Sequence, residues 1–354
     1  MNILRRTNFL VLTWAIEALN KDTDDQPSVD KNGTSEKPTI DFAVGGQAVI
    51  EGVMMRSPNS ISIAVRKLDG QVTVKKRHYR TLTQRYKWLN VPILRGVINL
   101  FEMMIIGTEA INYSANESLA EETADKTDTT GVDSTTKEQN PSRFSRILEI
   151  TMFIFSFIFA IALSIALFKF IPLWITTYLE TKSAYIQSNY IIFNLIDGAI
   201  KMSIFLSYIF ILSLIPNFRR IFEYHGAEHK SIFNYESGKE LSVANAKTQI
   251  RFHPRCGTSF ILIVFLVSIL VYTLIPKQEE FLLNFGVRVL FLPLIAGISY
   301  EYLKLSAKHA NKAIVKALIA PGLWFQRLTT KEPDEEQLAV GLKSLETALA
   351  MEKG

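Results

Sequence analysis

The chain changes texture along its length. Up to about residue 146 apolar residues are scattered among charged ones; from 147 to 305 they gather into long runs. A helix that crosses a bilayer needs roughly 20 predominantly apolar residues. Four segments meet this, at about 147–170, 191–215, 259–275 and 281–303. The third, SFILIVFLVSILVYTLI, contains no charge. The alternative, buried helices of a large soluble core, fits poorly with four such runs so close together. The first run stays apolar past Pro172 and exceeds one span, so 172–180 is expected to extend along the interface.

Ahead of the spans the period shortens. ISIAVRKL and QVTVKKRHY flank Asp69-Gly70, a signal for a two-residue hairpin turn. GGQAVIEGVMMR predicts one further strand whose glycines permit close backbone approach. Residues 41–80 are therefore expected to form a small β unit. From Trp88 to Ser118 apolar positions recur at helical spacing, interrupted by Arg95, Glu102 and Glu109. This predicts, within 81–116, an amphipathic or membrane-packed helix rather than a fifth span. Residues 1–40 are expected to be an extension and linker: the Arg5-Arg6 start imitates a signal peptide, but Glu17 interrupts its apolar run and no cleavage site follows. Residues 117–142, rich in Thr, Glu, Asp and Ala, are expected to be a disordered linker. The fold class is thus a mainly α membrane protein. It has about four transmembrane helices, a small cytoplasmic β unit before them and a cytoplasmic helical loop, 216–258, between spans two and three.

Overall composition, 48% hydrophobic and 21% charged, would suit a soluble protein and decides nothing. Charge matters through its location. The excess of 39 − 34 = +5 is concentrated outside the spans: Arg219, Arg220, Lys230, Lys239, Lys247, Arg251 and Arg255 all lie between spans two and three, whereas the loop before span two carries only Lys182. The positive-inside rule then puts both termini, the 306–354 tail and loop 216–258 on the cytoplasmic side of the cell (inner) membrane. The single cysteine, Cys256, excludes an intramolecular disulfide framework. The basic run from Lys75 to Arg80 is read as attracted to anionic lipid headgroups of the bilayer, with no nucleic acid as partner. The sequence contains neither a phosphate loop nor a dinucleotide fingerprint.

Candidate chemistry concentrates at Tyr224-His225-Gly226-Ala227-Glu228-His229-Lys230. On a helix His225 and His229 share a face, and Glu228 lies about 60° round from His225. H-x-x-E-H is the order in which two imidazoles hold zinc and a glutamate activates water; a surface or capping cluster is the plain alternative. The same loop holds His253 and Cys256, so a divalent metal, with zinc as the candidate, has four possible ligands there in His225, His229, His253 and Cys256. These four would close a structural site; His225 and His229 with an acid such as Glu301 would leave an open one. His253-Pro254-Arg255-Cys256 could equally be a turn entering span three. Glu51 is a second carboxylate of interest, its plain role being pairing with Arg56. Asp197, Lys201 and Arg288 are expected to form a charge cluster between spans, either a structural pairing or an ion path.

GGQAVIEGVMMRSP (45–58), YHGAEHK (224–230), HPRCGTSF (253–260), AGISYE (296–301) and PGLWFQRLTTKEPD (321–334) resemble the YqhQ-like bacterial membrane family, a domain of unknown function numbered 1385. The resemblance covers about 41–345. It implies a multi-pass bacterial membrane protein, and the family's common description as metal-dependent enzymes rests on the same His225, Glu228 and His229. The expectation is a metal site at the cytoplasmic surface, with Glu228 as catalytic base for hydrolysis of a membrane-associated substrate, lipid-linked or protein. The alternative is a scaffold or transport component whose His/Cys loop is structural. The tail segment PGLWFQRLTT is expected to place a Trp-containing turn at the membrane interface.

Overall fold

The two central strands of the β unit are buried on both faces. In the computed structural model, which describes residues 44–119, 143–276, 278–308 and 313–353, strands β1 (Gly45–Val49), β2 (Gly52–Arg56), β3 (Ser60–Arg66) and β4 (Val72–His78) form an antiparallel sheet in that order. Met54, Ile61, Ile63 and Val65 point to one face, where they meet Ile106 and Ala110 of helix α1 (Leu94–Leu119). Val53, Met55 and Ala64 point to the other and pack on Tyr224, Ile232, Val340 and Leu345. That second face is covered by α5 (Pro216–Glu236) and α10 (Glu335–Lys353). Ser60 and Ser62, on the same side as Ala64, donate hydroxyl hydrogens to the Ala348 and Ser344 carbonyls, which fastens the C-terminal helix to β3.

Two local expectations are corrected. GGQAVIEGVMMR is two strands, because the chain turns at Ile50-Glu51, with Glu51 at φ 51°. The β3–β4 turn has three residues, Leu68-Asp69-Gly70: Lys67 and Gln71 still pair, Gly70 takes φ 84°, and the Asp69 carboxylate accepts the Gln71 N–H. This is the three-residue alternative to the primed two-residue turn.

Among the described residues four helical stretches are long and apolar enough to cross a membrane, Ile158–Lys182, Tyr190–Leu214, Gly257–Leu274 and Phe281–Ser306. The first is continuous through Pro172. Helix α2 (Arg143–Ile165) passes through a π turn, Ala166–Phe170, into α3 (Ile171–Lys182), and Pro172 follows directly on that turn, where the α-helical hydrogen-bond register is already interrupted. Residues 172–180 therefore continue the helix. The second and third spans are α4 (Tyr190–Leu214) and α6 (Gly257–Leu274). The fourth is α7 (Phe281–Leu290) followed by α8 (Leu292–Lys308).

The tail segment around Trp324 is helical, not a turn. It lies in α9 (Ala313–Thr329), which carries Pro321 internally and packs Phe325 on Phe205 and Leu262. Helix α1 docks on span four: an added Cβ at Gly96 would sit 2.7 Å from Tyr300 Cβ, and Arg95 donates to both Glu301 oxygens. The expectations for residues 1–43 and for the linker beyond 119 fall outside the described residues.

Candidate metal centre

Three chain segments meet at one end of the bundle. Helix α5 supplies His225, Glu228 and His229 from adjacent turns; the HPRC turn supplies Cys256 as the N-cap of α6; the end of α9 crosses above them. Glycines permit the approach. A Cβ on Gly226 would lie 2.1 Å from the Lys331 carbonyl oxygen, and one on Gly46 would lie 2.7 Å from Glu228 Cγ. The bare backbone of Gly226 lets the 329–331 strap lie across α5, where Lys331 N–H donates to the Phe222 carbonyl. Gly46, on β1, leaves the space that the Glu228 side chain fills.

Both imidazoles of α5 are locked by main-chain carbonyls. His225 Nδ1 donates to Thr329 O at 2.8 Å, and His229 Nδ1 donates to Arg251 O at 2.5 Å. A carbonyl oxygen only accepts, so each Nδ1 carries hydrogen and each Nε2 is turned inward as the available ligand atom. His225 Nε2 lies 3.1 Å from Cys256 Sγ and 3.8 Å from Glu228 Oε2. His229 Nε2 is buried without a hydrogen-bond partner. One ligand atom from each of His225, His229 and Cys256 falls within 4.8 Å of the others. These distances and the Nδ1–carbonyl bonds match the outer-shell support of metal-bound histidines.

Electrostatics point the same way. Burial pulls the His225 imidazole down, but the Cys256 sulfur beside it, then Glu228 and the Thr329 carbonyl, more than reverse this and lift it to about 9. Burial likewise pushes the Cys256 thiol up, and His225 and His229 more than reverse it, holding the sulfur well below an ordinary thiol. Both shifts favour the deprotonated sulfur, which is the form of cysteine that ligates a metal. The donors present, two imidazoles and one thiolate, are a zinc-type set with a fourth position left to fill.

His253 lies beside this group, its ring 5.6 Å from that of His229, with Nε2 3.5 Å from Glu236 Oε2. Burial, then the neighbouring His229, bring its pKa down to about 4, so it is neutral. It stands apart from the three residues whose ligand atoms converge. Glu301 is bound to Arg95 and is not part of the centre. Glu51 pairs with Arg220 and accepts a hydrogen bond from the Tyr224 hydroxyl at 3.2 Å, while Arg56 stacks over Tyr79; the expected Glu51–Arg56 pair does not form.

The residues that hold the centre in place were not among the sequence candidates. Gln326, fully buried, accepts from His253 N–H and donates to His253 O and Ser259 Oγ, bracing the HPRC turn. Glu332 binds Lys230 and Arg251 together, which fixes the carbonyl that His229 uses. Gln326, Thr329 and Glu332 all lie in PGLWFQRLTTKEPD, whose polar residues following an apolar run were the available signal.

Residues 91–351 match the family described as "Protein of unknown function (DUF1385)". The chain is 34% identical over 320 residues to "Uncharacterized protein YqhQ" of Bacillus subtilis (strain 168), covering 89% of this chain and 95% of the relative. Neither description carries a metal, a substrate or a reaction. No solved structure matches.

Proposed function

This chain belongs to the DUF1385 family, and from that premise we propose a multi-pass membrane protein with a divalent-metal centre at its cytoplasmic surface, acting as a hydrolase on a membrane-associated substrate. The observation that carries the metal is the convergence of two carbonyl-locked imidazoles on Cys256, with the His229 Nε2 buried and unpaired. His225, His229 and Cys256 would hold the ion, with His253 poised beside them. When bound, a divalent cation supplies Lewis acidity and makes water a nucleophile near neutral pH. Glu228 faces the same space, within 3.8 Å of His225 Nε2, and its carboxylate accepts the proton that attacking water releases. Position at the head of a span suits a lipid-linked or membrane-protein substrate. The distribution of Lys and Arg supports cytoplasmic placement of the centre and of both termini.

One observation favours a second reading, a non-catalytic scaffold or transport component with a structural metal: His225, Glu228, His229 and Cys256 are each at most 8% exposed. Metal analysis of detergent-purified protein, prepared without chelator, separates the cases. About one metal per chain is expected, lost in His225→Ala/His229→Ala; metal-free wild type overturns the centre. Glu228→Gln is expected to keep the metal and lose cellular function. If it keeps both, the metal is structural and the hydrolase reading fails.

A further inference from the structure

A second concentration of charge lies inside the spans, and its signs do not balance. Asp197 of α4 is buried, and its Oδ2 accepts from Lys201 Nζ at 3.1 Å and from an Arg288 terminal N–H at 2.5 Å. The other Arg288 terminal nitrogen donates to Asn194 Oδ1, and Asn194 in turn donates to the Tyr272 carbonyl. The Tyr272 hydroxyl donates to the Arg288 carbonyl and accepts from Lys169 Nζ at 3.3 Å. Three cationic groups thus surround one ring: Lys169 Nζ, Lys201 Nζ and Arg288 Cζ lie 5.2, 5.6 and 5.0 Å from the Tyr272 centroid. One carboxylate, Asp197, pairs with two of them, Lys201 and Arg288. Arg288 Nε is buried without a hydrogen-bond partner.

Lys169 reaches this place because of a backbone irregularity. It lies within the π turn Ala166–Phe170 that interrupts the first span. A π turn shifts the register of every following side chain and is frequent at functional sites. Lys169 is half-buried, whereas Lys201 and Arg288 are buried, so Lys169 is the least enclosed of the three.

We propose that Lys169, Lys201 and Arg288 form a receptor for one phosphate-type anion within the membrane domain. Unbalanced charge is costly where water is excluded, and two lysine ammoniums with a planar guanidinium are the donor set that phosphate oxygens take. Three basic groups against one carboxylate suit a doubly charged phosphate monoester better than a halide. The site is separate from the histidine centre: Tyr272 lies 16 residues beyond Cys256 along α6, about 24 Å at helical rise. It stands whether or not that centre binds metal.

The test uses the full chain in phosphatidylcholine nanodiscs, titrated with inorganic phosphate and, separately, with phosphatidic acid, followed by native mass spectrometry and thermal unfolding. One anion per chain and a raised Tm are expected. Response to inorganic phosphate marks an aqueous source, and response to phosphatidic acid alone marks a lipid source; either supports the site. Lys169→Gln removes a cation without touching the Asp197 pairs and should weaken binding at least tenfold, while Lys169→Arg retains it. Asp197→Asn should tighten binding, the opposite of what a purely structural salt bridge predicts. No stoichiometric binding of either probe, or equal binding by Lys169→Gln, overturns the proposal.

Discussion

The histidine centre and the cation cluster sit at opposite ends of the same helix, α6, and lack opposite charges. At the head of α6 the Cys256 sulfur and the Glu228 carboxyl group face imidazoles whose Nδ1 atoms are already committed to carbonyls. At the far end three basic groups surround Tyr272, and two of them, Lys201 and Arg288, share the Asp197 carboxylate. The difference follows from surroundings. The first site is assembled by backbone: a glycine-permitted strap and two main-chain acceptors fix it, so shape should govern it. The second is assembled by side chains across spans, where charge pairing replaces water, so charge should govern it.

Removing the shared carboxylate is the sharpest way to break that contrast. Asp197→Ala leaves three cations together in a dry setting. Breaking a buried pair by deleting one partner costs roughly 3–5 kcal/mol, expected as a fall in thermal stability in phosphatidylcholine nanodiscs, with the metal content unchanged. Concomitant metal loss would show that the two ends are coupled and the contrast false.

Gly226→Ala attacks shape at the other end. A methyl 2.1 Å from the Lys331 carbonyl oxygen must push the strap away, and overpacking of this kind typically costs about 1–3 kcal/mol. Because Thr329 O lies in that strap, His225 loses its lock, so metal content should drop with stability. Gly46→Ala should act more locally. Its methyl meets Glu228 Cγ and the Met54 carbonyl oxygen, each at 2.7 Å. Metal should be retained while cellular function falls toward that of Glu228→Gln; full function would remove Glu228 from the chemistry.

What the sequence made legible divides along the same line. Spans two to four, the hairpin and the His225/His229 pair follow from period and spacing, which are local. The Asp197–Lys201–Arg288 cluster was also legible, because charges inside apolar runs have few partners within reach. Thr329, Gln326 and Glu332 were not, since their contribution is a carbonyl, an amide and a clamp delivered across 73 to 104 residues of chain. Glu51 was misassigned to Arg56 because two residues close in sequence are separated by a turn at positive φ that sends the carboxylate to Arg220. Pro172 suggested the end of a helical span, and the chain instead places it directly after a π turn that already interrupts the α-helical hydrogen-bond register.

A carboxylate on the water-facing side provides the control for Asp197, and its effect should be the smallest. Glu352, near the end of α10, accepts from Ser57 Oγ and the Asn59 N–H, both at 2.6 Å, and from Asn59 Nδ2 at 3.1 Å. Burial tends to raise its pKa, but these donors outweigh it and hold the carboxyl below its ordinary value. A depressed folded pKa means the contribution is present above the unfolded value, near 4.5, and is lost as pH falls through the folded one. Glu352→Gln should therefore cost about 1 kcal/mol at pH 7 and nothing measurable once both proteins are titrated below that value, read from paired unfolding curves. Its donors are neutral and partly hydrated, so deleting the charge strands no cation; Asp197 has two cations bound to one oxygen and no water to replace it. If Glu352→Gln proved as damaging as Asp197→Ala, membrane exclusion of water would not be what makes the inner cluster depend on charge, and the contrast between the two ends of α6 would have to rest on geometry alone.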